Sequence, residues 1–234
     1  MSFTYPTYVI DIANLLVIPP TDPNYLTVLP NIIDDAEQRI YRDLDLLSTI
    51  IRDQSATLTA NSRNFTFPQH FVVSESINVF TPAASTTTRN QLVPVSREWL
   101  DAVWGNEVAA STPSIPQYYA MITDQTIIVG PPPDTSYTME IVGTIRPTPL
   151  SAANPTTYLT LYLPDLFISA SMVFGYGFLK NFSSMADDPQ GAVSWEGHYQ
   201  KLLVSANIEE VRKRYASQAW SSKQPYQIST PPRT

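Results

Sequence analysis

The chain predicts an α+β protein in which a strand-rich middle is flanked by helices at both ends. Apolar residues recur at helical spacing over 5–17, 26–51 and 193–211, and close to every second position over 55–95 and 118–145. A run from Leu163-Pro164-Asp165 to Phe182 is apolar nearly all the way round, which marks a buried helix. With 43% hydrophobic and 15% charged residues, and 21 prolines against 7 glycines in 234 residues, the chain has a folded profile with many rigid corners.

In order, Tyr8, Val9, Ile12, Leu15 and Leu16 predict a first helix that stops at Ile18-Pro19-Pro20. Asp22-Pro23 carries the N-cap and first-turn proline signature of a second, which Pro30 kinks or restarts. Its stripe Leu26, Leu29, Ile33, Ala36, Ile40, Leu44, Leu47, Ile51 steps by 3, 4, 3, 4, 4, 3 and 4. The opposite face holds Asp35, Glu37, Arg39, Arg42, Asp43 and Asp45, either as a solvated charged face or with Arg39 or Arg42 reaching a neighbouring subunit.

From Ser55 to Val95 short strands are expected at Leu58, Phe65–Phe67, Phe71–Val73, Ile77, Val79-Phe80 and Leu92-Val93. Ser96 is placed to cap a brief helix carrying Trp99, Leu100, Val103 and Trp104. Residues 118–122 and 126–129, parted by Thr123-Asp124-Gln125, form a hairpin; after the proline run 131–133 a third strand of the same meander continues as Tyr137, Met139, Ile141, Gly143, Ile145. Its alternate residues Thr138, Glu140 and Thr144 are polar, which predicts one wet face. Asp188-Pro189 repeats the cap signature ahead of a long helix with Val193, Trp195, Tyr199, Leu202, Leu203, Ala206 and Val211 on its apolar side. Glu209–Lys213 and Glu210–Arg214 are spaced to pair along it. Residues 217–234 read as a flexible tail with Trp220 and Tyr226 as aromatic anchors.

Chemistry is scarce. There is no cysteine, hence no thiolate nucleophile or thiolate metal site, and the two histidines, His70 and His198, suit structural or solvent-facing roles. Gly175-Tyr176-Gly177 lies inside an apolar helix, where small residues permit close packing rather than cradle a phosphate. Met1–Pro6 lacks a signal-peptide pattern, and the apolar run 164–182 is interrupted by Ser169, Ser171 and Gly175, so a soluble protein made inside the cell is expected. Of the net charge of −7, the part after Glu210 contributes Arg212, Lys213, Arg214, Lys223 and Arg233 with no acid, leaving −12 on the first 210 residues. A basic arm on an acidic body is suited to ordering on a partner.

The order of features goes further. An N-terminal helix, then Ile33-Asp34-Asp35-Ala36-Glu37-Gln38-Arg39-Ile40-Tyr41-Arg42-Asp43-Leu44-Asp45-Leu46, then short strands, resembles the head-to-tail adaptor (connector) proteins of tailed phages, especially short-tailed ones. Pro131–Pro133 with Asp134, Ile141–Ser151, and Asn154 through Thr156-Thr157 to Leu163-Pro164-Asp165-Leu166 extend the likeness over roughly residues 5–215.

The resemblance implies a discontinuous helical bundle from both chain ends (1–52 and 161–216) that faces the portal, a central antiparallel β-rich domain (53–160) that faces the tail, and an extended C-terminal arm (217–234). It implies a structural virion protein at the head–tail junction, made in the host cytoplasm, that forms a twelve-membered homo-oligomeric ring below the portal and joins capsid to a tail nozzle or tube. DNA would pass through without sequence recognition, and neither a cofactor, a metal nor a membrane is implied. Arg212, Arg214, Tyr215, Trp220, Lys223 and Tyr226 are then the expected portal-binding residues, and Arg39 and Arg42 the expected subunit-interface residues. Two readings from other classes stay open: a virion-associated glycan hydrolase, which needs two carboxylates across a cleft, and a β-rich tail binding module.

Overall fold

The computed structural model describes residues 3–68, 70–83, 86, 88–105, 113–178 and 190–217. In chain order these hold α1 (Tyr5–Leu15), α2 (Pro23–Asp43), β1 (Ile50–Asp53), β2 (Thr57–Leu58), β3 (Asn64–Thr66), β4 (Phe71–Thr81), β5 (Thr88–Gln91), β6 (Val93–Pro94), α3 (Arg97–Trp104), β7 (Tyr118–Met121), β8 (Thr126–Gly130), β9 (Tyr137–Ile145), α4 (Tyr158–Tyr162), α5 (Pro164–Phe178) and α6 (Gly191–Ser217). The fold is α+β, and the chain divides into two units: Met1–Leu47 with Pro149–Thr234, and Ser48–Thr148.

The first unit is helical. Asp22 caps α2 by accepting from the Asn24 and Tyr25 amides at 2.7 and 3.1 Å, with Pro23 at the first position, where a missing N–H costs nothing. The helix runs through Pro30, which lies on its exposed side. Tyr25, Leu29, Ile33, Ala36 and Ile40 form the buried face, whereas Leu26, at the head of the expected stripe, is 44% exposed. The helix also stops earlier than the stripe: Leu44 is extended, Leu47–Thr49 is a 3-10 turn, and Ile51 belongs to β1. Asp43 and Asp45 oppose the dipole at that end, and Ile50–Asp53 find a sheet partner instead. Ser171 sits in the apolar α5 without an unmet hydroxyl, because it donates to the Phe167 carbonyl and accepts from buried Tyr8 at 2.7 Å each. Tyr8 stacks on Phe167 with ring centroids 5.0 Å apart. A Cβ at Gly175 would stand 3.1 Å from Leu16, so the small residue does admit close packing, here of the end of α1.

The second unit is two sheets around one core. One has the order β1-β9-β4-β5, with β2 also on β9; the other has the order β3-β8-β7-β6. Leu58, Phe65, Phe67, Phe71, Ile77, Val79, Ile127, Val129, Met139 and Ile141 fill the space between them. On the other side of β7 and β8, Leu100 of α3 packs on Ala120 and Ile128, so β8 is buried on both faces. Ser96 caps α3 as expected, accepting from the Trp99 amide at 3.3 Å. Buried Arg63 fastens the far end of that helix by donating to the carbonyls of Gly105, Leu100 and Val129.

Three expectations are corrected here. The hairpin is β7–β8, but β9 is no third strand of a meander: after the proline run it enters the other sheet, between β1 and β4, since prolines without N–H cannot continue the ladder. β6 pairs with β7 in parallel, so that sheet is mixed, while every other pairing is antiparallel. The pieces expected at 71–73, 77 and 79–80 are one strand, β4, whose register shifts at Phe71/Val73 and Ser74/Ser76 break the alternation. Gly143 lies opposite that irregularity, where a Cβ would come 2.3 Å from the Val73 carbonyl oxygen.

Candidate functional site

Of the residues singled out in the sequence, those among the described residues lie on α2 and at the C-terminal end of α6. Arg39 donates from Nη2 to Glu196 Oε1 at 2.6 Å, its Nε is 3.7 Å from Asp43 Oδ2, and its guanidinium stands 4.2 Å from the centre of the Tyr199 ring. Tyr199, fully buried, donates its hydroxyl to Asp43 Oδ2 at 2.7 Å. Local spacing sets half of this, with Arg39 and Asp43 one turn apart on α2; packing of α6 supplies the rest. The bond to Glu196 pushes the Arg39 pKa further up and holds the Glu196 carboxyl below its ordinary value. Arg39 is thus engaged within its own chain, whereas Arg42 is exposed and donates from Nε to the Gln38 carbonyl at 3.1 Å.

At the other end, Glu210 is buried among donors: the Leu47 amide at 3.1 Å, the Tyr158 hydroxyl at 3.3 Å and Lys213 Nζ at 2.7 Å. Lys213 also meets Glu209 at 2.8 Å and Tyr158 Oη at 2.7 Å. Burial would lower the Lys213 pKa, but these acceptors outweigh it and raise it. The expected Glu209–Lys213 pair is present, but the expected Glu210–Arg214 pair is not formed: Glu210 turns inward to Lys213, and Arg214 reaches Asp45 Oδ1 at 2.5 Å and its carbonyl at 3.1 Å. Arg212 and Tyr215 are exposed on α6, and Trp220, Lys223 and Tyr226 lie outside the described residues, as does the expected Asp188-Pro189 cap.

Three buried glutamates went unremarked as such in the sequence. Besides Glu210 there is Glu37, 2% exposed, whose Oε1 accepts the Leu150 amide at 3.1 Å. Burial pushes Glu37 up to about 7, against the opposing pull of that amide, with the Asp34 charge adding to the rise. The third is Glu140, which is fully buried, so that the wet face expected of β9 is not wet there. Three other strands of its sheet converge on it: Arg52 of β1, Asn78 of β4 at 2.9 Å and Arg89 of β5 at 2.8 Å, with Gln54 at 2.5 Å. Burial alone would raise the Glu140 pKa; the hydrogen bonds from Gln54 and Arg52 and the two arginine charges lower it instead. The signal for Glu37 and Glu210 was present, since each falls in the buried stripe of its helix, four residues after Ile33 and Ala206 respectively.

Each of these glutamates accepts from at least one donor of its own chain, an arrangement that fastens strands and helices. His70 Nε2 is 4.0 Å from Asp124 with both side chains exposed, and His198 meets Trp195 edge-on at 6.0 Å. Among the described residues no cluster of His, Cys, Asp or Glu is placed to hold a metal ion, and no helix is long and apolar enough to cross a membrane.

Compared with known protein families, the chain matches the family model described as SU10 adaptor protein over residues 4–223. No curated protein matches it significantly.

Proposed function

We propose, from the premise that this chain belongs to the SU10 adaptor protein family, that it is the ring-forming head-to-tail adaptor of a short-tailed phage. Membership makes it a structural phage protein that associates with portal and tail components of the virion. In the finer reading, twelve copies close a ring below the portal, the helical unit faces the portal and the strand-rich unit faces the tail. DNA passes along the axis.

The observation that carries this reading is the charge division of the chain. Five basic residues and no acid follow Glu210, on a body of −12. Arg212 and Tyr215 are exposed at the end of a 27-residue helix that Glu210 and Arg214 fasten to the segment around Leu47 and Asp45. Residues 212–215 with the arm beyond Ser217, carrying Trp220, Lys223 and Tyr226, dock on an acidic surface of the portal, where charge pairing sets register and on-rate. Arg42, exposed on α2, and Arg39 stand at the contact with the next copy. An acidic lumen repels phosphate and lets DNA slide.

The test is the mass of the purified chain alone and mixed with the portal of the same phage, for the full chain and for a truncation after Ser217. The full chain is expected to form a ring, alone or on the portal, and the truncation to keep its helical circular dichroism while losing portal binding. A full chain that stays monomeric and ignores the portal would sink the adaptor reading and favour an enzyme or a tail binding module. A truncation that binds unchanged would remove the docking role of the arm.

A further inference from the structure

The basic stretch 212–214 does not present its three charges alike. Arg212 is exposed on α6. Lys213 is engaged inside its own chain, with Glu209 at 2.8 Å, Glu210 at 2.7 Å and the Tyr158 hydroxyl at 2.7 Å. Arg214 is covered by Asp45, whose Oδ1 is 2.5 Å and whose carbonyl oxygen is 3.1 Å from Nη2. No acid follows Glu210 in the sequence, so the carboxylate on Arg214 comes from 169 residues earlier.

Asp45 does little for the segment that carries it. It lies just past the C-terminal end of α2, two residues after Asp43, where the helix dipole repels a negative charge. Its neighbours Leu44 and Leu46 are in the core, and the Leu47 amide is tied to buried Glu210 at 3.1 Å, so the segment is fixed on both sides of Asp45 without it. The Asp45 side chain is 70% exposed and that of Arg214 33%, which leaves the pair open to water and to competing charges. Glu210 is the contrast. Its side chain is 4% exposed and accepts from the Leu47 amide, Tyr158 and Lys213, and it could not change partners without leaving buried donors unpaired.

We infer that Asp45 stands in the free chain where a carboxylate of the portal stands after docking, so that Arg214 is a docking residue kept covered until the partner arrives. The inference rests on the portal-docking reading above and names the group that Arg214 meets. The contact itself indicates the partner's chemistry: a carboxylate with a main-chain carbonyl beside it, as an acidic residue in an extended segment offers. Exchanging one half-exposed acid for another costs the chain no buried contact, and Glu210 with the core leucines keeps α6 on the 44–47 segment throughout. The cover also discriminates. An acidic side chain met at random must compete with Asp45, whereas the portal presents its carboxylate alongside the sites for Arg212 and the arm.

The experiment is a cycle of Asp45→Asn, Arg214→Gln and the double variant, each full-length, titrated with the portal of the same phage at low salt. Asparagine keeps the size of the side chain and removes a charge that the end of α2 repels, so the urea midpoint of Asp45→Asn is expected to stay close to wild type. Portal binding is expected to tighten about two- to five-fold in Asp45→Asn and to weaken in Arg214→Gln, with the double variant binding as Arg214→Gln does. Tightening that persists in the Arg214→Gln background would mean that Asp45 acts through net charge alone, and it overturns the exchange while the docking reading stands. An Asp45→Asn variant that binds no tighter than wild type does the same, as does one whose midpoint falls well below wild type, since Asp45 would then be a structural acid. A wild type that ignores the portal overturns the docking reading and this exchange with it.

Discussion

The carboxylate of Glu37 accepts the backbone N–H of Leu150 at 3.1 Å, 113 residues away along the chain. Leu150 stands beside Pro149, where the chain re-enters the helical unit, and at the point where it leaves, the Leu47 amide is held in the same way by Glu210. Each crossing is thus tied to a helix by a buried glutamate. The backbone carbonyls of a helix are spent on its own ladder, so it is a glutamate side chain that supplies the acceptor for each of these two N–H groups.

Glu37 makes stability depend on pH. Its carboxyl is raised from 4.5 to about 7 by burial, so the native state holds a proton that the unfolded chain has lost. The stability this contributes is fully present below about 4.5 and is lost as pH rises through about 7, a change of about 3 kcal/mol. Glu37→Gln keeps an oxygen for the Leu150 amide and removes the titration. Urea midpoints at pH 5 and pH 8 should fall for the wild type and stay level for the variant; equal pH dependence in both would mean that Glu37 ionises freely in the native state.

Glu140 works in the opposite sense. Its pKa is lowered in the folded protein, so its contribution is present above the ordinary carboxylate value and is lost as pH falls below it. Glu140→Ala removes the acceptor shared by Arg52, Gln54, Asn78 and Arg89 and should cost about 2–3 kcal/mol, with Glu140→Gln in between. Because both arginines are half-exposed and can turn to water, a loss much larger than this is not expected. The check is chemical denaturation of the three proteins at pH 7, and an alanine variant as stable as the wild type would contradict the role assigned to the carboxylate.

Gly143→Ala should destabilise the sheet by about 1–3 kcal/mol, since the added methyl group would stand 2.3 Å from the Val73 carbonyl oxygen and backbone must move. Gly197→Ala is the internal control, because the same methyl group there meets open space and should raise the melting temperature. Thermal melts of the pair that moved in the same direction would refute the difference.

The Arg39–Glu196 pair is one-fifth exposed on the arginine side and 37% exposed on the glutamate side, so solvent screens it. A double-mutant cycle through Arg39→Ala and Glu196→Ala should return a coupling of about 1 kcal/mol at low salt, falling in 1 M salt. A coupling near zero would leave the packing of the guanidinium over Tyr199 as what holds Arg39 in place.

Local signals reported local structure faithfully. The Asp22-Pro23 cap, the Ser96 cap, the two strands of the hairpin and the continuous strand at 137–145 all stand where the residues place them, because capping, proline geometry and side-chain period act within a few residues. Arg39 drew attention through its spacing to Asp43, but Glu196, its closer partner, is 157 residues away and nothing in the spacing points to it. The two bulges in β4 hid a single long strand, since each shift exchanges the faces of the residues that follow.

The sequence by itself therefore determined most of the helices and strands and where most of them begin, though not that Ile50–Asp53 is a strand or Tyr158–Tyr162 a helix, and it showed that a basic end follows an acidic body. The tertiary structure alone decided that β9 leaves its apparent meander for the middle of another sheet, and that Glu37, Glu140 and Glu210 are interior groups. Periodicity reports that one face of an element differs from the other, and it is silent on what packs opposite. A polar residue on a strand looks wet until arginines from two other strands of its sheet cover it, and a glutamate in a helical stripe looks misplaced until a distant backbone amide needs an acceptor.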